Sequence, residues 1–93
     1  MVIGVARLSF HLPGNSSLKG KRKVVKSVID RVKSRFNVTV AEVDHMDLHQ
    51  RATIGVAVVS NEAPHADSQI QTVIRFVGES VELLDVNIEL ITL

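Results

Sequence analysis

Cysteine is absent from the 93 residues, which excludes a disulfide scaffold, a thiol nucleophile and a thiolate metal site. Tryptophan and tyrosine are absent as well, and Phe10, Phe36 and Phe76 are the only aromatic residues. A base-stacking sheet of the kind RNA-recognition modules use has few rings to draw on. No apolar run approaches the roughly 20 residues a membrane-crossing helix needs. Met1 leads into a strand-like segment rather than a signal peptide, so a soluble, cytoplasmic protein with no membrane partner is expected. What is present is ordinary for a globular chain, with 45% hydrophobic and 23% charged residues, and this composition excludes disorder. The length suits a single domain over residues 1–93, too short for two separate cores.

Acidic residues are scarce in one segment in particular. Between Lys19 and Arg35 stand Lys19, Lys21, Arg22, Lys23, Lys26, Arg31, Lys33 and Arg35, opposed only by Asp30, a surplus of seven positive charges. The remainder holds Arg7, Arg51 and Arg75 against nine carboxylates. The net charge of +1 conceals this separation, which predicts a polarised surface.

Val2 to Leu12 alternates, with Val2, Gly4, Ala6, Leu8, Phe10 and Leu12 on one side, the period of a half-buried strand. Pro13-Gly14-Asn15 ends it as a turn, and Ser16 or Ser17 offers a helix cap. From Leu18 to about Arg35, Val25, Val28, Ile29, Val32 and Phe36 recur at three and four, the stripe of an amphipathic helix. Asn37 to Asp44 is rich in β-branched residues and predicts a second strand, and Met46 to Gln50 is a polar connection. Arg51 to Ser60 predicts a third strand with Ala52, Ile54, Val56 and Val58 inward. Asn61 as cap and Pro64 in the first turn open a second helix, which carries Ile70, Val73, Ile74 and Val77 and ends near Gly78. A last strand from about Glu82 to Leu93 would turn Leu84, Val86, Ile88 and Leu90 inward.

The order β-α-β-β-α-β, with two right-handed crossovers around a central hairpin, predicts an α+β ferredoxin-like sandwich. Its four-stranded antiparallel sheet, in the order 4132, would carry both helices on one face. The other face would hold Ile3, Val5, Arg7, Ser9, Thr53, Gly55, Ala57, Asn87, Glu89 and Ile91. It is partly apolar and has no aromatic, and a homodimer seam is expected on it near Ile3, Val5, Val59, Ile91 and Leu93.

Four stretches carry a resemblance. They are the strand ending in Leu12-Pro13-Gly14, then Ser17-Leu18-Lys19-Gly20-Lys21-Arg22, Phe36-Asn37-Val38-Thr39-Val40-Ala41-Glu42-Val43, and Val58-Val59-Ser60-Asn61. In this order and spacing the chain resembles the YlxP-like family of small bacterial proteins, catalogued as domain of unknown function 503. The resemblance implies a ferredoxin-like fold and no established activity. It also implies work near RNA or the ribosome, because members are often encoded beside translation and ribosome-maturation factors. His49 departs from the pattern, where similar proteins often carry an aromatic residue.

No catalytic constellation emerges, and a non-enzymatic protein without cofactor or metal is expected. Gly14 and Gly20 flank a strand-to-helix turn as in a phosphate-binding loop. Five residues separate them instead of four, and Arg22 stands where the magnesium-binding hydroxyl belongs. The helix start still offers free amides beside Lys19 and Lys21, enough for a lone phosphate. Ser16-x-x-Lys19 has the spacing of a serine–lysine pair but none of its partner motifs, and is simpler as a cap. Acylphosphatases share the size and topology, yet their glycine-rich phosphate loop is missing. His45 and His49 with Asp44 and Asp47 have the four-residue spacing of helical metal ligands. They lie in a connection between strands, which does not impose that geometry, and are expected as polar loop residues.

The basic helix is the feature with functional content. Lys19, Lys23, Lys26 and Lys33 share one outward band, which over about 21 Å of helix can follow several phosphates. The expected contact set is Lys19, Lys21, Arg22, Lys23, Lys26 and Lys33, touching RNA or ribosome by backbone charge and shape. A homodimeric adaptor docking an acidic protein is the alternative. Lys21 stands apart, because its helical angle falls inside the apolar stripe, where an ammonium needs a partner. Strand alternation puts Glu42 on the helix side of the second strand, so Lys21 or Arg22 is expected to meet Glu42 in a structural ion pair.

Overall fold

A computed structural model describes residues Met1–Leu93. Its elements are β1 (Val2–His11), α1 (Leu18–Arg35), β2 (Thr39–Asp44), β3 (Arg51–Ser60), α2 (Ala63–Gly78) and β4 (Glu82–Thr92). The strands form one antiparallel sheet in the order β2-β3-β1-β4, the ferredoxin-like βαββαβ topology. β1 lies between two neighbours, pairing from Val2↔Ser60 to His11↔Arg51 on one side and from Val2↔Thr92 to His11↔Glu82 on the other.

The core forms where the alternation of the strands meets the stripes of the helices. Leu8, Phe10, Ala52, Ile54 and Val56 on the sheet pack beneath Val25, Val28 and Val32 of α1 and Ala66, Ile70, Val73 and Val77 of α2. α2 lies over β1, β3 and β4, while α1 lies over β2. Phe36 and Phe76 join the two helices edge to face at 5.4 Å between centroids, and the Arg35 guanidinium sits 5.1 Å over the Phe76 ring. Contacts of this kind are worth about 0.5–1.5 kcal/mol beyond their buried area.

The structure departs from the sequence expectation at three places. The cap of α2 is Glu62, not Asn61, because the first helical bond runs from Ala66 N–H to the Glu62 carbonyl. Pro64, which lacks an N–H, falls within the first turn, where none is needed. β2 starts at Thr39, where its ladder begins opposite Ala57, and Asn37 and Val38 stay outside the ladder although β3 runs on to Ser60. The inward row of β4 is interrupted because the register shifts between Ser9 and Phe10, leaving Leu84 as an extra residue in a β-bulge. Val86, Ile88 and Leu90 lie opposite Leu8, Ala6 and Gly4 on the helix side. They remain 37%, 38% and 40% exposed, because α2 meets β4 closely at Leu83 and leaves this row only partly covered. A second bulge, in β2 between Glu42 and Asp44, sends Val43 over Gly55 on the open face.

Candidate nucleic-acid interface

Ser17 caps α1 in an extended conformation, its Oγ accepting the Gly20 N–H at 3.0 Å. Asn15 braces the turn before it, with Nδ2 donating to the carbonyls of Ser17 and His49. The first turn contains no acidic residue although Lys19 and Lys21 are there. Cations at this end oppose the helix dipole by about 0.3–1 kcal/mol each, so local helix stability does not account for them.

Lys19, Arg22, Lys23, Lys26 and Lys33 are exposed. At about 100° per residue they fall within roughly one quarter to one third of the helix circumference. Of these cations only Lys26 has a carboxylate within ion-pair distance, Asp30 at 2.8 Å. That bond and the Asp30 charge hold the Lys26 ammonium above its ordinary pKa. The other four face solvent without an acidic neighbour. Arg31 and Arg35 lie on the opposite flank of α1, Arg31 bonded to the Ser27 carbonyl and Arg35 over Phe76.

Lys21 must be removed from the expected contact set. It is only 1% exposed, so its ammonium cannot reach a ligand on the helix surface. Nζ donates to the His45 carbonyl and lies 3.3 Å from Glu42 Oε2, whose side chain is 22% exposed. Oε2 has no partner with hydrogen-bond geometry, so the Lys21–Glu42 contact is Coulombic and the aligned proton goes to His45. Arg22 does not share this pair and stays exposed. The pair fastens the first turn of α1 to the far end of β2.

Around the same end, a polar cluster crosses to the open sheet face. His45 has a left-handed backbone, φ 58°, a conformation that costs a side-chain-bearing residue about 1–2 kcal/mol. Three bonds hold it there. Its carbonyl receives Lys21, its N–H donates to Asp44 Oδ1 at 2.7 Å, and its Nδ1 lies 2.6 Å from Thr53 Oγ1. Thr53 Oγ1 is in turn 2.8 Å from Ser9 Oγ. Asp44 also pairs with Arg7. The His45 N–H bond, followed by the nearby charges of His45 and Arg7, holds the Asp44 carboxyl below its ordinary pKa.

Sequence reading treats His45 as a polar loop residue and misses this cluster. The available signal is the run of polar Arg7 and Ser9 in the middle of an otherwise apolar strand. His49 bonds through its carbonyl only, and no three of His, Asp and Glu converge as metal ligands. Between Arg7, Val5, Val43, Gly55, Asn87 and Glu89 the open face is hollowed to about 510 Å³, with no aromatic ring in the lining.

The model of the family described as "Protein of unknown function (DUF503)" matches residues 3–89. The chain belongs to that family. Among relatives, this DUF503 chain is 33% identical over 82 residues to the uncharacterized protein YlxP of Bacillus subtilis (strain 168), covering 88% of this chain and 89% of that one. A solved structure similar in outline is a point mutant of SnoaB, a cofactor-independent oxygenase from Streptomyces nogalater. It has a TM-score of 0.45 and 11% identity, with 99% of this DUF503 chain and 91% of that chain covered. No helix of this DUF503 protein is long and apolar enough to cross a membrane.

Proposed function

We propose that this DUF503 protein is a non-enzymatic, cytoplasmic RNA-binding protein that lays α1 along the backbone of structured RNA, ribosomal RNA in the first instance. The observation that supports this reading is the row of exposed cations on one sector of α1, only one of which has an acidic partner. Lys19 to Lys33 extends about 21 Å at the usual helical rise, which matches several successive phosphates. An isolated solvated helix gains from mixing signs at i,i+4, and here only Lys26 and Asp30 do so. The basic first turn, placed against the helix dipole, suits a phosphate that would restore the balance.

Because the open face has no aromatic residue, bases are not stacked there. Affinity comes from phosphate contacts and selectivity from RNA shape. The choice of ribosomal RNA rests on the translation-related gene neighbourhood that the family resemblance implies. The test is co-sedimentation with ribosomal particles, followed by a salt titration on a structured ribosomal RNA fragment. Binding should fall steeply from low to moderate salt, and each of Lys19→Gln, Lys23→Gln and Lys33→Gln should flatten the logarithmic slope by about one. RNA affinity that is absent, or indifferent to these changes, would overturn the reading. Salt-sensitive capture of an acidic protein in its place would assign α1 to an adaptor role.

A further inference from the structure

The two edges of the sheet are built differently. β2 is short and carries a bulge at Val43, two of the devices that keep an edge strand from pairing with another chain. β4 is 11 residues long, with no proline and no lysine or arginine. Its single bulge lies near one end, at Leu84. One side of β4 is paired with β1 throughout, while the other has no neighbour. Beside that unpaired backbone, the helix side presents Val86, Ile88 and Leu90, each more than one-third exposed. A strand added here would complete the hydrogen bonds and cover the apolar row together.

We propose that the protein is a two-fold homodimer in which β4 pairs antiparallel with β4 of a second copy, Ile88 lying on the axis. Charge and register select this arrangement among the alternatives. Opposed residues in an antiparallel pair share a face, so a two-fold axis normal to the sheet must pass through a residue and not between two. An axis at Asn87 sets Asp85 against the partner's Glu89, and symmetry repeats that repulsion. An axis at Glu89 opposes two carboxylates directly. An axis at Val86 places the Leu84 bulge inside the new ladder, opposite the partner's Ile88. An axis at Ile88 sets Val86 against the partner's Leu90, Asn87 against the partner's Glu89 and Asp85 against the partner's Ile91. Leu84 then falls at the end of the ladder, opposite the partner's Thr92. No like charges oppose each other, and an amide can donate to each Glu89. Both copies of α2 stay on one side and flank the covered row. This surface differs from the open-face seam that composition suggests.

The absence of cysteine makes the arrangement readable by cross-linking. The two copies of residue 88 would face each other with Cα atoms about 4.5–5.5 Å apart, within disulfide range. The two copies of residue 90 would be offset by about 13 Å along the strands. Sedimentation, carried out at salt high enough to remove any bound RNA, should give a dimer for the unmodified protein. Under mild oxidation Ile88→Cys should become a covalent dimer and Leu90→Cys should not. Ile88→Lys should be monomeric with an unchanged circular dichroism spectrum. A monomer at every concentration would overturn the proposal. So would a dimer that survives Ile88→Lys, or a cross-link that forms at Leu90→Cys or at Val59→Cys on the open face.

Discussion

Replacing Glu42 by glutamine keeps the shape of the Lys21 site and removes the only charge opposing a buried ammonium. The Lys21 side chain is 1% exposed and that of Glu42 is 22% exposed, so water can compensate through the carboxylate side only. Breaking a fully buried ion pair costs about 3–5 kcal/mol, and the partial exposure of Glu42 together with the His45 carbonyl lowers this to about 2–3 kcal/mol. At about 4–8 °C per kcal/mol for a domain of this size, the melting temperature should fall by about 10–20 °C. Lys21→Met removes the ammonium itself. It leaves Glu42 free to rehydrate and the His45 carbonyl short of one donor, at a cost of about 1 kcal/mol. The order of the two losses is therefore the decisive result, with Glu42→Gln the larger, and Lys21→Met in the Glu42→Gln background recovering much of it. Urea unfolding with paired calorimetry reads all three variants. A loss under about 0.5 kcal/mol for Glu42→Gln would refute the argument, because that is the range of an ordinary surface substitution. Intact stability with lost RNA affinity would instead assign the pair to ligand contact.

The lowered pKa of Asp44 means that its ionised form favours the folded state. Its contribution is present above the unfolded carboxyl value of 3.8 and fades as pH falls through the lower folded value; the stability gap between the native protein and Asp44→Asn should be constant near neutrality and close in acid. Gly20→Ala should destabilise even though alanine is the better helix former by about 1 kcal/mol, because the new methyl would overlap Asn15 Oδ1, whose amide is fixed on two carbonyls; a higher melting temperature would count against that brace. Thr53→Val deprives both Ser9 Oγ and His45 Nδ1 of their shared partner and should cost about 1–3 kcal/mol in denaturant unfolding, whereas an unchanged midpoint would show the network to be dispensable.

The fold is legible in the sequence because period two and period three-to-four alternate cleanly, and because β1, β3 and α2 each keep one apolar side intact while α1 interrupts its own only at Lys21. The buried position of Lys21 is legible for the same reason, as a cation at the angle of Val25, Val28 and Val32. The bulges are not legible. Glu42 and Asp44 are two residues apart and should share a face by simple alternation, yet the extra residue Val43 sends one toward the helices and the other to Arg7. Leu84 has the spacing of an inward residue and loses that position to a register shift against β1, where consecutive Ser9 and Phe10 pair with Asp85 and Leu83, a property of the pair and not of either strand alone. The exposure of Val86, Ile88 and Leu90 depends on where α2 comes to rest, which local pattern does not specify. His45 escapes because its left-handed turn is held by its neighbour Asp44 together with Lys21 and Thr53, which only the fold brings to it.

Because β1 occupies the interior of the sheet, its two ladders close very different lengths of chain. β2 and β3 join through a short connection, so their hairpin can form within microseconds. β1 meets β3 across about half of the chain, and Val2 meets Thr92 across nearly all of it. Loop closure over such distances must be completed before those contacts give any return. The order of assembly should therefore run from the β2–β3 hairpin to the docking of β1 and last to β4. Until β4 arrives, β1 is itself an edge, with Val2, Gly4, Ala6 and Leu8 uncovered along one side. This transient apolar edge, more than any surface of the finished molecule, is where the chain is most vulnerable to aggregation while it folds.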